Sequence, residues 1–272
     1  DNGNAANANY TTSSGFTRES FMYVTGNFGK LGFGRTGSLS SGAQSNHILT
    51  GWALGTGLGL SSWTSEIGTS YGRLNNTISY ATPSFSGLTI HAMYSNGIGE
   101  DTNKWSENTH YYGIGAKYQA NAIKSSLIFE AVDNKGGEKN LVGNKVHGDK
   151  AYTVNFGFEY NLGSFTPMFA YQWANQDDGK KTHMFGLSAK VPVAGGDVLA
   201  GARYLFGKDE AITTGDDKVR AWNIGAAYIY PLSKRTALKA YAGYADSGKE
   251  WKEVENVAYN GYQVYLGMRH SF

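Results

Sequence analysis

The feature that most constrains the fold is a period-2 alternation of apolar, often aromatic residues with polar or small ones. In 152–160 every second residue from Tyr152 to Tyr160 is apolar, whereas those from Thr153 to Glu159 are polar or glycine. Such alternation predicts β-strands with two unlike faces. Further segments with this pattern are 16–25, 109–118, 123–132, 165–174, 197–206, 219–230, 235–245 and 262–272. Each is about ten residues long, the length that a tilted strand needs to cross the hydrocarbon of a bilayer.

The connections between these segments alternate between short and long. Short turns are expected at 26–29, 82–87, 119–122, 161–164, 192–197 and 231–234. Longer polar stretches lie between them at 36–72, 96–108, 134–150, 175–180, 207–218 and 246–259. Short turns on one rim and long loops on the other are typical of an outer-membrane β-barrel. A soluble β-sandwich is the alternative, but it gives no reason for this alternation or for tyrosine and phenylalanine at strand ends.

The composition agrees with a barrel and excludes several other classes. The 272 residues include no cysteine, so disulfides and thiolate metal sites are excluded. No apolar run is long enough for a membrane-spanning helix. A mean hydropathy of −0.40 suits a barrel with a wet interior, because half of each strand faces the lumen. The net charge of +2 is too small to indicate a nucleic-acid partner.

The strand count predicts a barrel with more strands than this sequence contains. Six short turns join twelve strands, and the last segment makes thirteen. The first and last strands both run toward the short turns, and an antiparallel barrel that begins and ends there needs an even number of strands. Three further strands would give sixteen, a size that leaves an aqueous channel. We expect one all-β domain over 1–272, a transmembrane antiparallel β-barrel with 1–15 as the end of an external loop.

Four stretches of the chain resemble parts of Gram-negative general porins of the beta-proteobacterial and neisserial type. Residues 16–21 and 26–35 resemble the fourth and fifth strands of that family, and 71–80 resemble the strand after its pore-constricting loop. Residues 267–272 resemble the C-terminal signature, in which a terminal aromatic residue, here Phe272, serves insertion into the outer membrane. The four stretches follow the order and the intervals of the family.

This resemblance implies a homotrimer in the outer membrane, in contact with lipid and lipopolysaccharide, that passes ions and small hydrophilic solutes. It also implies that the third external loop folds inward and narrows the pore. Here that loop is 36–72, the longest connection of the chain. The alternative is a mobile external loop.

The resemblance also indicates which charged residues form the constriction. Arg18 and Arg73 match wall arginines of the family, and Arg35 matches the arginine at the start of the inward loop. For Arg18 the alternation agrees. If Phe21 and Tyr23 face lipid, Arg18 falls on the opposite face of the strand, toward the lumen. For Arg73 the alternative is a rim arginine bonded to a loop. The family's loop carries several acids, whereas Glu66 is the single acid of 36–72.

The alternation predicts further charged side chains in the lumen. They are Lys117, Lys124, Glu130, Glu159, Lys190, Arg203, Lys239 and Arg269. Positive charge dominates this set, and a narrow passage with low-dielectric walls enriches the counter-ion. The sequence therefore predicts a general diffusion porin with a weak preference for anions.

Other functions make different demands on the sequence. A substrate-specific channel for sugars or organic anions would need an aromatic ladder or an arginine cluster along the path. An outer-membrane enzyme would need a His–Ser or His–Asp constellation, and His110 and His183 have no evident partner of that kind. The histidines also lack HxH or HExxH spacing, so neither a metal site nor a cofactor is expected. A structural or adhesive role for an occluded barrel would be distinguished by an absence of conductance.

Overall fold

The computed structural model describes residues 18–41, 45–55, 67–98, 104–134, 150–177, 179–210, 212, 215–249 and 260–271. The expected loop remnant 1–15, the loop acid Glu66 and the terminal Phe272 lie outside these residues. A short 3-10 helix spans Trp105–Glu107. Within the described ranges no helix is both long and apolar enough to cross a membrane.

In the described ranges thirteen strands form one sheet, in which each strand pairs with its neighbours along the chain. They are β1 (Ser20–Gly26), β2 (Gly29–Gly37), β3 (Arg73–Ala81), β4 (Leu88–Asn96), β5 (His110–Ala120), β6 (Ile123–Asp133), β7 (Lys150–Tyr160), β8 (Thr166–Gln176), β9 (Lys180–Val193), β10 (Gly196–Asp209), β11 (Lys218–Pro231), β12 (Thr236–Ser247) and β13 (Asn260–His270). All pairs are antiparallel. The all-β antiparallel fold and the thirteen strands predicted from the alternation are confirmed.

The two faces of the sheet are the reverse of those in a soluble protein. One face exposes large apolar side chains, such as Ile114 (55%), Leu187 (68%) and Ile224 (56%). The opposite face carries the buried polar groups, including Asn155 and Gln172. Because side chains alternate along a strand, an apolar outer face and a polar inner face produce the observed period-2 pattern.

A segment of the chain crosses the inner face of the sheet. Within 46–54, the Asn46 amide bonds to Ser79 of β3, and the Leu54 side chain lies at Gly225 of β11. Between these ends, main-chain N–H groups of the segment bond to Ser126 of β6 and Ser188 of β9. The segment therefore lies on the polar inner face, across the strands from β3 to β11.

The edge strands β1 and β13 run in the same direction, toward the short turns. In the ranges that the structure describes, no backbone ladder joins them. A direct pair between these strands would be parallel, and an antiparallel seam needs an odd number of strands between them. The total of sixteen strands stays a prediction.

One connection departs from the predicted alternation of lengths. The stretch 175–180 is predicted to be a longer loop, but β8 continues to Gln176 and β9 begins at Lys180. Only 177–179 join these strands, a connection as short as the turns on the other rim. The reason is that the strands extend beyond the membrane-length segments, with Lys180 paired in register with Asp209 of β10.

The predicted orientation of β1 is wrong by one residue. Met22 and Val24, not Phe21 and Tyr23, continue the outer apolar row, because Met22 is paired with Phe33 of β2. Phe21 instead covers Gly32 on the inner face, where an added Cβ would lie 2.1 Å from its ring. Both faces of β1 carry apolar residues, so its alternation alone does not determine the orientation.

The cavity and its inner loop

The described part of 36–72 forms two limbs on the inner face, an outbound limb (38–41 and 45–55) and a return limb (67–72), which we together call the inner loop. The outbound limb runs across the strands and is held by hydrogen bonds. Thr50 N donates to Ser126 Oγ of β6 (3.1 Å), and Ala53 N donates to Ser188 Oγ of β9 (3.0 Å). Serine hydroxyls on the wall thus satisfy main-chain donors that a loop cannot satisfy itself.

Inward-facing glycines leave room for the outbound limb. At Gly157 of β7 an added Cβ would lie 2.1 Å from the carbonyl oxygen of Thr50, and at Gly201 of β10 it would lie 2.9 Å from the ring of Trp52. Gly115 of β5 is similarly crowded by the limb. We call this row of small residues the glycine track. The sequence analysis missed it, although glycine at the polar positions of several strands is its visible signal.

The return limb is fastened to the wall at three places. Gln172 of β8 accepts from Thr69 N (2.6 Å) and donates to Thr69 O (2.8 Å), as a neighbouring strand would. Arg203 Nη1 of β10 donates to Ile67 O (3.1 Å). The ring of Tyr71, which is buried, packs edge-on against Tyr111.

Arg203 also holds the outbound limb. Its guanidinium lies 4.1 Å from the ring centroid of Trp52, a cation–π contact. Its backbone N–H donates to Asn223 Oδ1 of β11 (2.8 Å), which places the residue firmly on the wall. Arg203, predicted only as a lumen charge, therefore contacts both limbs.

A cavity of about 1200 Å³ lies between the inner loop and the wall. Eight of the predicted charged residues line it: Arg18, Arg35, Arg73, Lys117, Lys124, Glu159, Lys190 and Arg203. Seven of these eight are cations and one is a carboxylate. The structure thus brings together the three arginines inferred from the resemblance and most of the charges inferred from the alternation.

The arginines occupy one part of the cavity wall, on β2, β3 and the bend before β1. Arg35 donates to the side-chain oxygen of Asn75. Arg73 begins β3 and is paired in register with Gly37. Arg18 precedes the first strand residue, so the orientation of β1 does not decide where its side chain points. Its place at the cavity comes from the bend, not from the alternation used to predict it.

Two cations of the cavity pair with carboxylates of the described residues. Lys124 Nζ lies 3.9 Å from Glu159 Oε2, whose other oxygen accepts from Gly51 N of the inner loop (3.1 Å). Lys190 Nζ lies 3.4 Å from Asp197 Oδ2. Asp197 was absent from the predicted set because it lies in a predicted turn. The two pairs reduce the cationic excess without reversing it.

Three predicted lumen charges do not line this cavity. Glu130 faces inward but is fully buried beneath the inner loop. Lys239 lies on the inner face of β12, where the register pairs it with Gly267, and is also buried. Arg269 shares that face on β13. All three lie on the inner face, and the alternation carries no information on the burial of Glu130 and Lys239 by other parts of the chain.

His47 of the outbound limb lines the cavity as well. Burial, and secondarily the charge of Lys117, lower the pKa of His47 to about 4. The imidazole is therefore neutral at pH 7 and adds no charge there. The sequence analysis set all histidines aside, and the position of His47 inside 36–72 was the only available signal.

An apolar outer face, a polar inner face and a charged cavity partly filled by a loop define a membrane-spanning β-barrel channel. The chain belongs to the Gram-negative porin family, whose model matches residues 1–250. It is accordingly an integral protein of the bacterial outer membrane.

Similarities to known proteins are consistent with membership of this family. Outer membrane porin protein 32 of Delftia acidovorans is 26% identical over 288 residues, which cover 100% of this chain and 77% of that protein. The anion-selective porin from Comamonas acidovorans has a TM-score of 0.66 and 24% identity, covering 94% of this chain and 78% of its own. The trimer form of OmpT from Vibrio cholerae has a TM-score of 0.63 and 14% identity, covering 92% of this chain and 80% of its own. These structures share the fold.

Proposed function

We propose that this porin is a general diffusion channel for ions and small hydrophilic solutes and that it prefers anions. The observation that carries this proposal is the set of eight charged residues at the cavity, seven cations and one carboxylate. Charges in a narrow, low-dielectric passage act on permeating ions far more strongly than charges on an open surface. The relative from Comamonas acidovorans is described as anion-selective, which supports the same preference.

We further propose that the inner loop is the element that narrows the lumen, opposite Arg18, Arg35 and Arg73. The support is that both limbs are bonded to the wall and line the same cavity as these arginines. A permeating anion would pass between the loop and the guanidinium groups. Guanidinium groups donate several hydrogen bonds and can replace part of the hydration shell of an anion.

The proposed assembly is a homotrimer in lipid and lipopolysaccharide, with no catalytic role. The trimer form of the Vibrio cholerae relative supports the oligomeric state. A catalytic constellation is not favoured, because His110 and His183 bond through Nδ1 to the hydroxyls of Tyr94 (2.8 Å) and Tyr171 (2.9 Å). Chemical cross-linking in outer membranes should give a band at three times the monomer mass.

The decisive test is the reversal potential of purified channels in planar bilayers under a salt gradient. The wild-type protein should give an anion-selective potential and ohmic steps. Changing Arg18, Arg35 and Arg73 together to Gln should reduce that selectivity or abolish it. The matched control is Lys104→Gln, which removes a cation from an exposed position that is not part of the cavity lining.

Two results would contradict the proposal. Clear cation selectivity of the wild-type channel would refute the anion preference. Conductance that saturates with one sugar or organic anion would replace general diffusion by a substrate-specific channel.

A further inference from the structure

Glu130 of β6 is a fully buried carboxylate that the permeation path does not use. Its Oε1 accepts from Ser40 N (3.2 Å) and the Tyr111 hydroxyl (2.8 Å). Its Oε2 accepts from Ser40 Oγ (2.6 Å), Thr153 Oγ1 (3.3 Å) and Asn155 Nδ2 (3.3 Å). Five donors from the inner loop and from two strands, β5 and β7, thus converge on one side chain.

In all five of these contacts Glu130 is the acceptor. An ionised carboxyl group is an acceptor only, with about four lone-pair sites on its two oxygens. Burial of such a charge is costly unless hydrogen bonds replace those lost from water. Among the described residues Glu130 forms no ion pair. Neutral donors, chiefly the backbone and hydroxyl of Ser40, therefore replace water here.

The hydrogen bonds continue from Glu130 to the second limb. Asn155 donates to Glu130, and its Oδ1 accepts from Gln172 Nε2 (2.7 Å). Gln172 in turn bonds both main-chain groups of Thr69. Glu130, Asn155 and Gln172, which we call the carboxylate clamp, join Ser40 of the outbound limb to Thr69 of the return limb through the wall.

We propose that Glu130 is the positioning residue of the channel: through the carboxylate clamp it holds both limbs of the inner loop at a fixed distance from the wall and so sets the open lumen. This inference rests on the proposed function, because it names the residue that keeps the narrowing loop in place. Glu130 acts through Ser40 and Asn155 and does not contact the permeating solute.

The substitution Glu130→Gln tests this role with little change in shape. One carboxylate oxygen becomes an NH₂ group, which must face either Ser40 N–H or the amide of Asn155. In either orientation a donor meets a donor. Asn155 cannot relieve the conflict by turning its amide, because its Oδ1 is bonded to Gln172. Leaving a buried donor unsatisfied is costly, so the limbs should separate from the wall.

The first measurement is the single-channel current of Glu130→Gln in planar bilayers. We expect loss of the single steady open level, replaced by rapid fluctuation between levels, while the barrel remains folded. The control Glu107→Gln makes the same chemical change at an exposed site outside the lumen and should keep the wild-type level. A steady wild-type level in Glu130→Gln would overturn the proposal.

Tyr111→Phe separates hydrogen bonding from charge. This variant keeps the Glu130 carboxylate but removes one of its donors and the acceptor of Leu39 N. If bonding positions the loop, Tyr111→Phe also shows fluctuating levels. If only Glu130→Gln changes the current, and only through its reversal potential, the residue acts by its field and the positioning role is wrong.

A labelling experiment keeps this inference separate from the proposed function. Leu39 of the outbound limb is buried and the chain has no cysteine, so Leu39→Cys places one thiol under the clamp. A water-soluble thiol reagent should react faster with Leu39→Cys when Glu130→Gln is also present. Equal rates would contradict positioning even if the channel conducts. Absence of conductance in the wild type would contradict the proposed function but leave the labelling result interpretable.

Discussion

The wall residues that contact the inner loop differ in chemical type from the arginines that line the open cavity. Along β5–β11 the wall meets the outbound limb with glycine and serine, such as Gly157 and Ser188, and bonds its main chain. On β2, β3 and the preceding bend, the wall presents arginines to the open cavity. The loop contacts depend on steric fit and hydrogen bonds, and the cavity lining depends on charge. Strands β5–β11 carry residues of both kinds, since Lys117 and Arg203 also line the cavity.

The largest effect should come from filling the glycine track. Gly157→Val would place methyl groups where the carbonyl of Thr50 lies, since even a Cβ would be 2.1 Å away. Overpacking of this kind costs about 1–3 kcal/mol, and here it should displace the outbound limb and change the conductance. The control is Gly267→Val on β13, where an added Cβ meets nothing within 4 Å. Conductance is the readout, and an unchanged value in Gly157→Val would show that the loop does not follow the track.

A smaller effect is expected from Trp52→Ala. It removes the cation–π contact with Arg203, a contact of about 0.5–2 kcal/mol, and the packing against Gly201. The open-channel conductance should rise, because a large ring leaves the cavity lining. Trp105→Ala, at a residue 61% exposed in the external helix, should leave conductance unchanged. A reduced conductance in Trp52→Ala would instead indicate that the limb collapses into the lumen.

Lowering the pH should increase the positive charge at the cavity through His47. Its pKa of about 4 lies below the ordinary 6.5, so the imidazole becomes charged, and anion preference rises, only as pH falls through 4. The unfolded chain binds this proton at higher pH. The His47 contribution therefore lowers the folding stability as the pH falls from about 6.5 to about 4. Both effects should be smaller in His47→Gln. A Glu159→Gln channel, measured in parallel, distinguishes protonation of His47 from protonation of the wall carboxylate. Identical pH profiles for His47→Gln and wild type would exclude His47.

The smallest effect should come from the external ion pairs. Asp216 bonds to Lys218 (3.0 Å), and that bond lowers the pKa of Asp216. Exposed pairs contribute little and are screened by salt. Asp216→Asn should leave the reversal potential at the wild-type value in physiological salt. A clear shift would mean that external charges, and not the cavity wall, control selectivity.

The sequence predicted the strands better than the loop contacts, for a physical reason. Strand alternation is local, so the inward orientation of Glu130, Lys239 and Arg203 followed from nearest neighbours in the chain. The failure at β1 has the same origin, because Phe21 is inward only where Gly32 of the next strand leaves space. The length of the connection between β8 and β9 was overestimated, because polar residues outside the membrane occur in strands as well as in loops.

The sequence by itself determined an antiparallel barrel sheet, the polarity of its two faces and the excess of cations among inward positions, since each follows from residue order at period two. Only the tertiary structure decided which inward residues line the cavity. Glu130 and Arg203 alternate in the same way along their strands, yet the inner loop covers one and leaves the other at the cavity. That difference arises from contacts between residues far apart in the chain, such as Ser40 with Glu130. The local pattern of the sequence does not indicate such contacts.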